Sequence, residues 1–147
     1  MKIVEEIYYN KVNWQIIIEY SIHSQGRWLD RKLSGKTLSG MTARAVDFFL
    51  QHPSIPRKKR IIVRNIVKHN SLVIAKTFMD LIDKKSGVLK LLIVTVINKI
   101  MHANIGELVI DVYKNGRCKI YEKTCKIQQR KMENQLWNNE SCSGKDT

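Results

Sequence analysis

Hydrophobic and polar residues alternate most regularly along the chain between Val12 and Ser24. The even positions from 12 to 22 are apolar and the odd positions are polar, with Ile17 as the exception. A period of two places every second side chain on the same face of an extended chain. The pattern therefore predicts a long β-strand with one face in the core and the other in water.

The N-terminal residues before this strand give a weaker signal. Ile3, Val4, Ile7 and Tyr8 recur at helical spacing. So short a segment does not distinguish a helix from an extended arm, and both remain open.

A polar and basic segment follows the strand, from Gly26 to Lys36, and its glycines indicate an exposed loop. Trp28 lies in this segment. Two roles remain open for its indole: it staples the loop to the core, or it acts as a surface anchor for a partner.

A helix is predicted from Gly40 to Gln51. Ser39 is a candidate N-cap, and Pro53 forbids continuation beyond the end. Within the helix the apolar residues fall on one face, which predicts packing against a core: Met41, Ala45, Phe48 and Phe49.

The next two apolar runs, Arg60 to Lys68 and Leu72 to Phe78, flank a short polar turn. Their isoleucine and valine content predicts a hairpin, although a helix starting at Ser71 is an alternative. We expect the second strand to give way to a short helix between Thr77 and Lys85. The following run, Val88 to Ile97, is apolar throughout apart from Lys90 and Thr95, which suits either a buried strand or a buried helix.

The clearest hairpin surrounds Asn115 and Gly116, between Glu107 and Tyr121. A two-residue loop would pair apolar with charged residues. A three-residue loop, Lys114 to Gly116 with Gly116 left-handed, matches like with like and adds a cross-strand ion pair, so we predict that register. Its pairs are Val112 with Cys118, Asp111 with Lys119 and Ile110 with Ile120.

Together these elements predict a single α+β domain, an antiparallel sheet with helices packed on one side. The globular domain covers residues 1–122, and residues 123–147 form a basic, partly disordered tail. A short basic helix could begin this tail, but Asn138 to Thr147 contain too few apolar residues to become ordered. At 147 residues the chain is long enough to fold without disulfides or metals.

Charge is the feature that bears most on function. The formal net charge is +13, which favours nucleic acid, an acidic protein or an anionic membrane as partner. No acidic residue occurs between Asp47 and Asp80, whereas four consecutive cations follow Pro56. A second basic stretch runs from Lys114 to Lys131. The predicted polyanion-binding residues are Arg57, Lys58, Lys59, Arg60, Arg64, Lys119, Lys123 and Lys126.

Catalytic and cofactor motifs are not found. Ser34 to Thr37 resembles the end of a phosphate-binding loop, but Asp30 stands where that loop needs glycine. The four histidines are scattered and show no metal-ligand spacing. We therefore expect a non-enzymatic protein without cofactor or metal.

Localisation is predicted from two further features. The three cysteines match neither a zinc knuckle nor a disulfide framework, so we expect them to be reduced. The N-terminus lacks the apolar core of a signal peptide and no run is long enough to span a bilayer. The expectation is an intracellular protein, cytoplasmic and, through Pro56 to Arg60, also nuclear, that is neither secreted nor transmembrane.

The order of elements resembles that of vesiculovirus-type rhabdovirus matrix proteins. It consists of a long alternating strand, a basic loop, a short helix, a basic hairpin from Arg60 to Ala75 and a late hairpin from Gly106 to Glu122. The Pro-Pro-x-Tyr motif and the lysine-rich N-terminal arm of that family are absent. The resemblance implies a matrix-like or accessory viral protein that contacts nucleoprotein, membrane or a host factor.

Two functional hypotheses follow. The first is a small basic binding protein whose cationic face engages nucleic acid, nucleoprotein or an anionic membrane. The second is a host-interaction adaptor that docks a cellular protein through an apolar or aromatic surface at Trp28 or Trp137.

Overall fold

The computed structural model of the protein describes residues 2–21 and 35–124. These residues form seven strands and one α-helix, in the order β1, β2, α1, then β3 to β7. The elements are β1 (Lys2–Tyr9), β2 (Val12–Tyr20), α1 (Gly35–Gln51), β3 (Arg60–Asn65), β4 (Asn70–Leu81), β5 (Ser86–Ile97), β6 (Leu108–Val112) and β7 (Cys118–Glu122).

All seven strands belong to one mixed sheet, in the order β1-β2-β5-β4-β3-β6-β7. Four neighbouring pairs are antiparallel, but β2 runs parallel to β5 and β3 runs parallel to β6. The predicted all-antiparallel sheet is therefore only partly right. Local patterning did not reveal the parallel pairs because they join strands that are far apart in sequence.

The first two strands form a tight hairpin. Its two loop residues, Asn10 and Lys11, both have positive φ (52° and 66°), as a two-residue hairpin loop of type I′ requires. The N-terminal segment is thus a strand rather than a helix. In β2 the even residues are buried from Trp14 to Tyr20, which confirms the predicted alternation over the described part.

Helix α1 packs on one face of the sheet, which we call the helix-side face. It begins at Gly35, five residues earlier than predicted, so Ser39 is an exposed residue inside the helix and not its N-cap. The predicted apolar stripe is correct, because Met41, Ala45 and Phe49 are almost fully buried. They pack against apolar residues from the strands, among them Ile16, Ile18, Ile61, Val63, Ile74, Leu91 and Ile93.

The segment after the basic stretch forms the predicted hairpin, β3 with β4, but the expected helix at residues 77–85 is wrong. Strand β4 passes a register shift between Lys76 and Phe78 and stays paired with β5 as far as Leu81. The turn that follows is closed by the Asp83 carboxylate, which accepts hydrogen bonds from the backbone N–H groups of Lys85 and Ser86. Residues 86–97 form a strand, which resolves the other open alternative.

The last hairpin has the predicted register. Val112 pairs with Cys118, Asp111 with Lys119 and Ile110 with Ile120. Gly116 has the predicted left-handed conformation, with φ of 75°, and Asn115 shares it. The loop residues 114–116 form a single 3-10 turn.

The second face of the sheet, which we call the open face, carries no helix among the described residues. Residues 98–107 cross part of it, and Ala103 packs there against Ile62, Val73, Val109 and Tyr121. The predicted domain boundary at 122 falls at the end of β7, and residues 125–147 of the predicted tail lie outside the described part. Within residues 2–21 and 35–124, no helix has the length and apolar character needed to cross a bilayer.

Cys118 is completely buried on β7 and is disulfide-bonded. The expectation that all three cysteines are reduced is therefore not met, since sequence spacing does not show which thiols approach each other in the fold.

Candidate functional site

The four consecutive cations lie at the entrance to β3, on a short segment tied to the sheet. The backbone N–H of Lys58 donates to the carbonyl of Lys76 on β4, and that of Lys59 donates to Pro56. Lys58 has a φ of 68°, so the chain turns sharply at this residue. Pro53 and Pro56 further limit the conformations open to the segment because their φ angles are fixed.

Three of these side chains are exposed: Arg57, Lys58 and Arg60. Arg57 donates from Nε to the carbonyl of Thr77 at 2.9 Å, which holds the guanidinium beside β4. No acidic residue in the described part of the chain forms an ion pair with any of the three. Their charge is therefore available to an external anion.

Lys59 has a different role, because it joins the basic segment to the far edge of the sheet. Its Nζ donates to the carbonyl of Gly106 at 2.6 Å and lies 3.8 Å from Oε1 of Glu122. Lys123 follows directly, and its backbone bonds to Glu107 and Gly106. The start of β3 and the end of β7 thus lie at the same end of the sheet, where Lys123 adds a cation.

Arg64 is not part of an exposed cationic surface, which corrects the prediction. It lies on the open face of β3 beside Asp111 on β6. Its guanidinium binds both carboxylate oxygens, at 2.6 and 2.8 Å, and also donates to Tyr121 Oη and the carbonyl of Met101. An arginine engaged in this way cannot also bind a phosphate.

Lys119 was also predicted to bind a polyanion, and this prediction is wrong because the residue is buried. Only 2% of this residue is exposed, and its Nζ lies 5.1 Å from the centroid of the Tyr121 ring. The reason is register: Lys119 is the direct cross-strand neighbour of Asp111, so both side chains point into the layer covered by residues 98–107. The predicted second basic stretch is also divided, since Lys114 and Arg117 lie at the opposite end of β6 and β7.

The structure adds two residues that the sequence did not indicate. Lys99 and His102 line a groove of about 760 Å³ on the open face, together with Arg60. The rest of the groove wall is formed by Thr95 and by apolar residues from the end of β5 and the segment after it: Val94, Ile97, Ile100 and Met101. The sequence does not indicate that residues 99–102 and Arg60 line one groove, because they belong to segments that are far apart in the chain.

Lys76 holds the chain just before the basic segment from the helix side of the sheet. It lies on the helix-side face, is only 4% exposed, and donates from Nζ to the carbonyl of Pro53 at 2.9 Å. Burial lowers the pKa of its ammonium group. The cation is therefore used to hold the turn that precedes the basic segment, and it does not reach the surface.

The remaining predicted site residues, Lys126, Trp28 and Trp137, lie outside the described residues. The basic residues at the start of β3, after β7 and along the open-face groove define what we call the cationic surface: Arg57, Lys58, Arg60, Lys99, His102 and Lys123. Of these, Arg57, Lys58, Arg60 and Lys123 were predicted.

Comparison of the chain with protein-family models, with curated proteins and with solved structures found no match.

Proposed function

We propose that this is a non-enzymatic binding protein whose cationic surface engages the phosphate backbone of nucleic acid, either free or within a nucleoprotein complex. One observation carries the proposal. Arg57, Lys58 and Arg60 are exposed side by side on a segment fastened to the sheet, and none forms an ion pair with a described residue.

The arrangement suits phosphate binding for a physical reason. Backbone bonds from Lys58 to Lys76 and from Lys59 to Pro56 fix the segment, so less conformational entropy is lost when its side chains bind. Arginine guanidinium groups donate to phosphate oxygens in a bidentate manner, and lysine contributes a point charge. Contacts of this type recognise charge and spacing without reading base sequence.

The test compares two variants that lose the same charge. In the first, Arg57, Lys58 and Arg60 become alanine. In the control, three exposed cations elsewhere become alanine: Lys84, Lys85 and Lys114. Affinity for a short DNA duplex is measured by fluorescence anisotropy over a series of salt concentrations.

Each phosphate contact contributes about 0.9 to the slope of log affinity against log salt on duplex DNA. The first variant should lose about 2.7 of that slope if all three side chains bind phosphate, and the control should lose far less. Equal losses in the two variants would show that only net charge matters and would overturn the proposal.

Anionic vesicles give the contrasting outcome. If the first variant loses binding to phosphatidylserine vesicles but keeps its full affinity for the duplex, the ligand is a membrane surface and the nucleic-acid proposal is wrong.

A matrix-like or accessory role in a virus is the biological setting that we propose for this activity, and its support is the order of elements given above. The adaptor alternative draws no support from the described residues, because Trp28 and Trp137 lie outside them. Partner capture that withstands high salt but is lost in the Trp28→Ala or Trp137→Ala variant would favour the adaptor.

A further inference from the structure

Strand β1 is an exposed edge of the sheet. It pairs with β2 on one side, and no other described strand pairs with it. Seven of its eight residues are exposed, including Ile3, Val4 and Tyr8 at 42%, 52% and 68%. A long and uncovered edge strand presents a row of backbone donors and acceptors that another strand can pair with.

The hairpin geometry shows which residues of β1 present these groups. In a two-residue hairpin the residues flanking the loop, here Tyr9 and Val12, exchange both backbone hydrogen bonds. The odd residues of β1 therefore bond to β2, and the even residues direct their N–H and C=O groups outward. The N–H groups of Asn13 and Ser21 bond towards β5, as this alternation requires.

Self-pairing of this edge is limited by its charges. In an antiparallel pair of β1 strands related by a twofold axis, an axis at Glu5 or at Glu6 would place that carboxylate directly opposite its own copy. Like charges directly opposite each other are destabilising. An axis at Val4 avoids this and sets Lys2 opposite Glu6 of the second copy, twice over, on the open face of the sheet.

We infer that the protein forms a dimer in which β1 pairs antiparallel with β1 of a second copy, with the twofold axis at Val4. The two sheets then become one continuous sheet of fourteen strands. Five residues of each strand overlap, from Lys2 to Glu6. Ile3 faces Glu5 of the other copy on the helix side, and the two ion pairs on the open face set the register.

An axis at Ile7 is the competing arrangement that also avoids opposed carboxylates. It forms no ion pair, and its overlap, Glu5 to Tyr9, ends at the Asn10–Lys11 turn. The two arrangements use different outward N–H groups: Val4 is paired only with the axis at Val4, whereas Tyr8 is paired only with the axis at Ile7.

The experiment therefore compares two proline variants of the full chain by sedimentation equilibrium in the absence of nucleic acid. Both Val4→Pro and Tyr8→Pro remove an outward N–H and leave the bonds to β2 in place, and proline is tolerated at such edge positions. Val4→Pro should abolish the dimer and Tyr8→Pro should retain it. Far-ultraviolet circular dichroism checks that both variants remain folded.

A charge exchange gives a second measurement that does not depend on proline. Glu6→Lys should weaken the dimer about tenfold, since it opposes two pairs of lysines, and Lys2→Glu combined with Glu6→Lys should restore it. A monomeric native protein at all concentrations, disruption by Tyr8→Pro but not Val4→Pro, or no rescue in the double variant would each overturn the inference. None of these results depends on whether the cationic surface binds nucleic acid.

Discussion

Arg64 and Asp111 form a bidentate ion pair between the parallel strands β3 and β6, with Nε–Oδ1 and Nη2–Oδ2 distances of 2.6 and 2.8 Å. The Arg64 side chain is 14% exposed and that of Asp111 is 2% exposed, so the pair is largely removed from water. Tyr121 completes it, accepting from Arg64 and donating to Asp111. The guanidinium and carboxylate thus have their main partners within the sheet itself.

Removing only the acid should be costly. Asp111→Ala leaves the Arg64 guanidinium without its carboxylate, and we expect a loss of about 3–5 kcal/mol in the free energy of unfolding. Replacing both members, as Arg64→Met with Asp111→Leu, should cost less because the buried guanidinium is removed together with its carboxylate. Urea denaturation of the two variants checks this, and an equal loss in both would contradict it.

Lys76 should make stability depend on pH in the alkaline range. Burial lowers the pKa of Lys76 in the folded protein from its ordinary value of 10.5, so the unfolded chain binds more protons just below that pH. Stability should therefore rise with pH in this window relative to the Lys76→Met variant, which has no group to titrate at this site. The test measures the free energy of unfolding of both proteins from pH 7 upward. The native protein should gain stability relative to the variant as the pH rises, and a constant difference between the two would contradict the prediction.

Gly87 faces the Trp14 indole on the neighbouring strand, and a Cβ atom there would lie 2.5 Å from Cζ3 of the ring. Gly87→Ala should destabilise the protein by about 1–3 kcal/mol through overpacking. Gly40 in α1 is the matched control, since nothing lies within 4 Å of the added methyl group. Gly40→Ala should stabilise by about 0.5–1 kcal/mol because alanine is favoured in a helix interior. Thermal unfolding should show a lower melting temperature for Gly87→Ala and a higher one for Gly40→Ala than for the native protein.

Lys58 allows charge and backbone conformation to be separated. Its φ of 68° suits glycine and strains a β-branched residue. Lys58→Gly should be at least as stable as the native protein, whereas Lys58→Val should lose about 1–2 kcal/mol. Both variants remove the same cation, so both should lose about 0.9 from the duplex salt slope. Unequal slopes in two folded variants would show that conformation, rather than charge, governs binding at this residue.

The local features of the fold were predictable where one pattern dominated. The alternation in β2 predicted its buried face, and the matching of like residues across the last hairpin predicted its register, because a shift by one residue would reverse every side chain. The start of α1 was missed because Ser39 offered a plausible cap within a segment that is already helical. Residues 77–81 were predicted as helix because the turn signal at residues 84–87 also suits the end of a helix, whereas Leu81 in fact pairs with Gly87 across that turn.

The site was only half predictable, for a reason seen in Arg64 and Arg60. Both are arginines on the open face of β3, four residues apart and equally basic in the sequence. Arg64 binds Asp111, which comes from a strand far along the chain, whereas Arg60 lines an open groove together with Lys99 and His102. Local sequence carries no record of which distant residue stands beside each, and so it could not separate the neutralised cation from the available one.

The two parallel strand pairs have a consequence for how the chain reaches its native state. Asn13 pairs with Ser86, and Ile61 pairs with Leu108. Neither parallel pair can therefore form until a much later part of the polypeptide has been synthesised. The meander of β3, β4 and β5 contains only neighbours in sequence and can assemble early, since local contacts cost less chain entropy. The β1–β2 hairpin therefore leaves the ribosome well before its neighbour β5 exists.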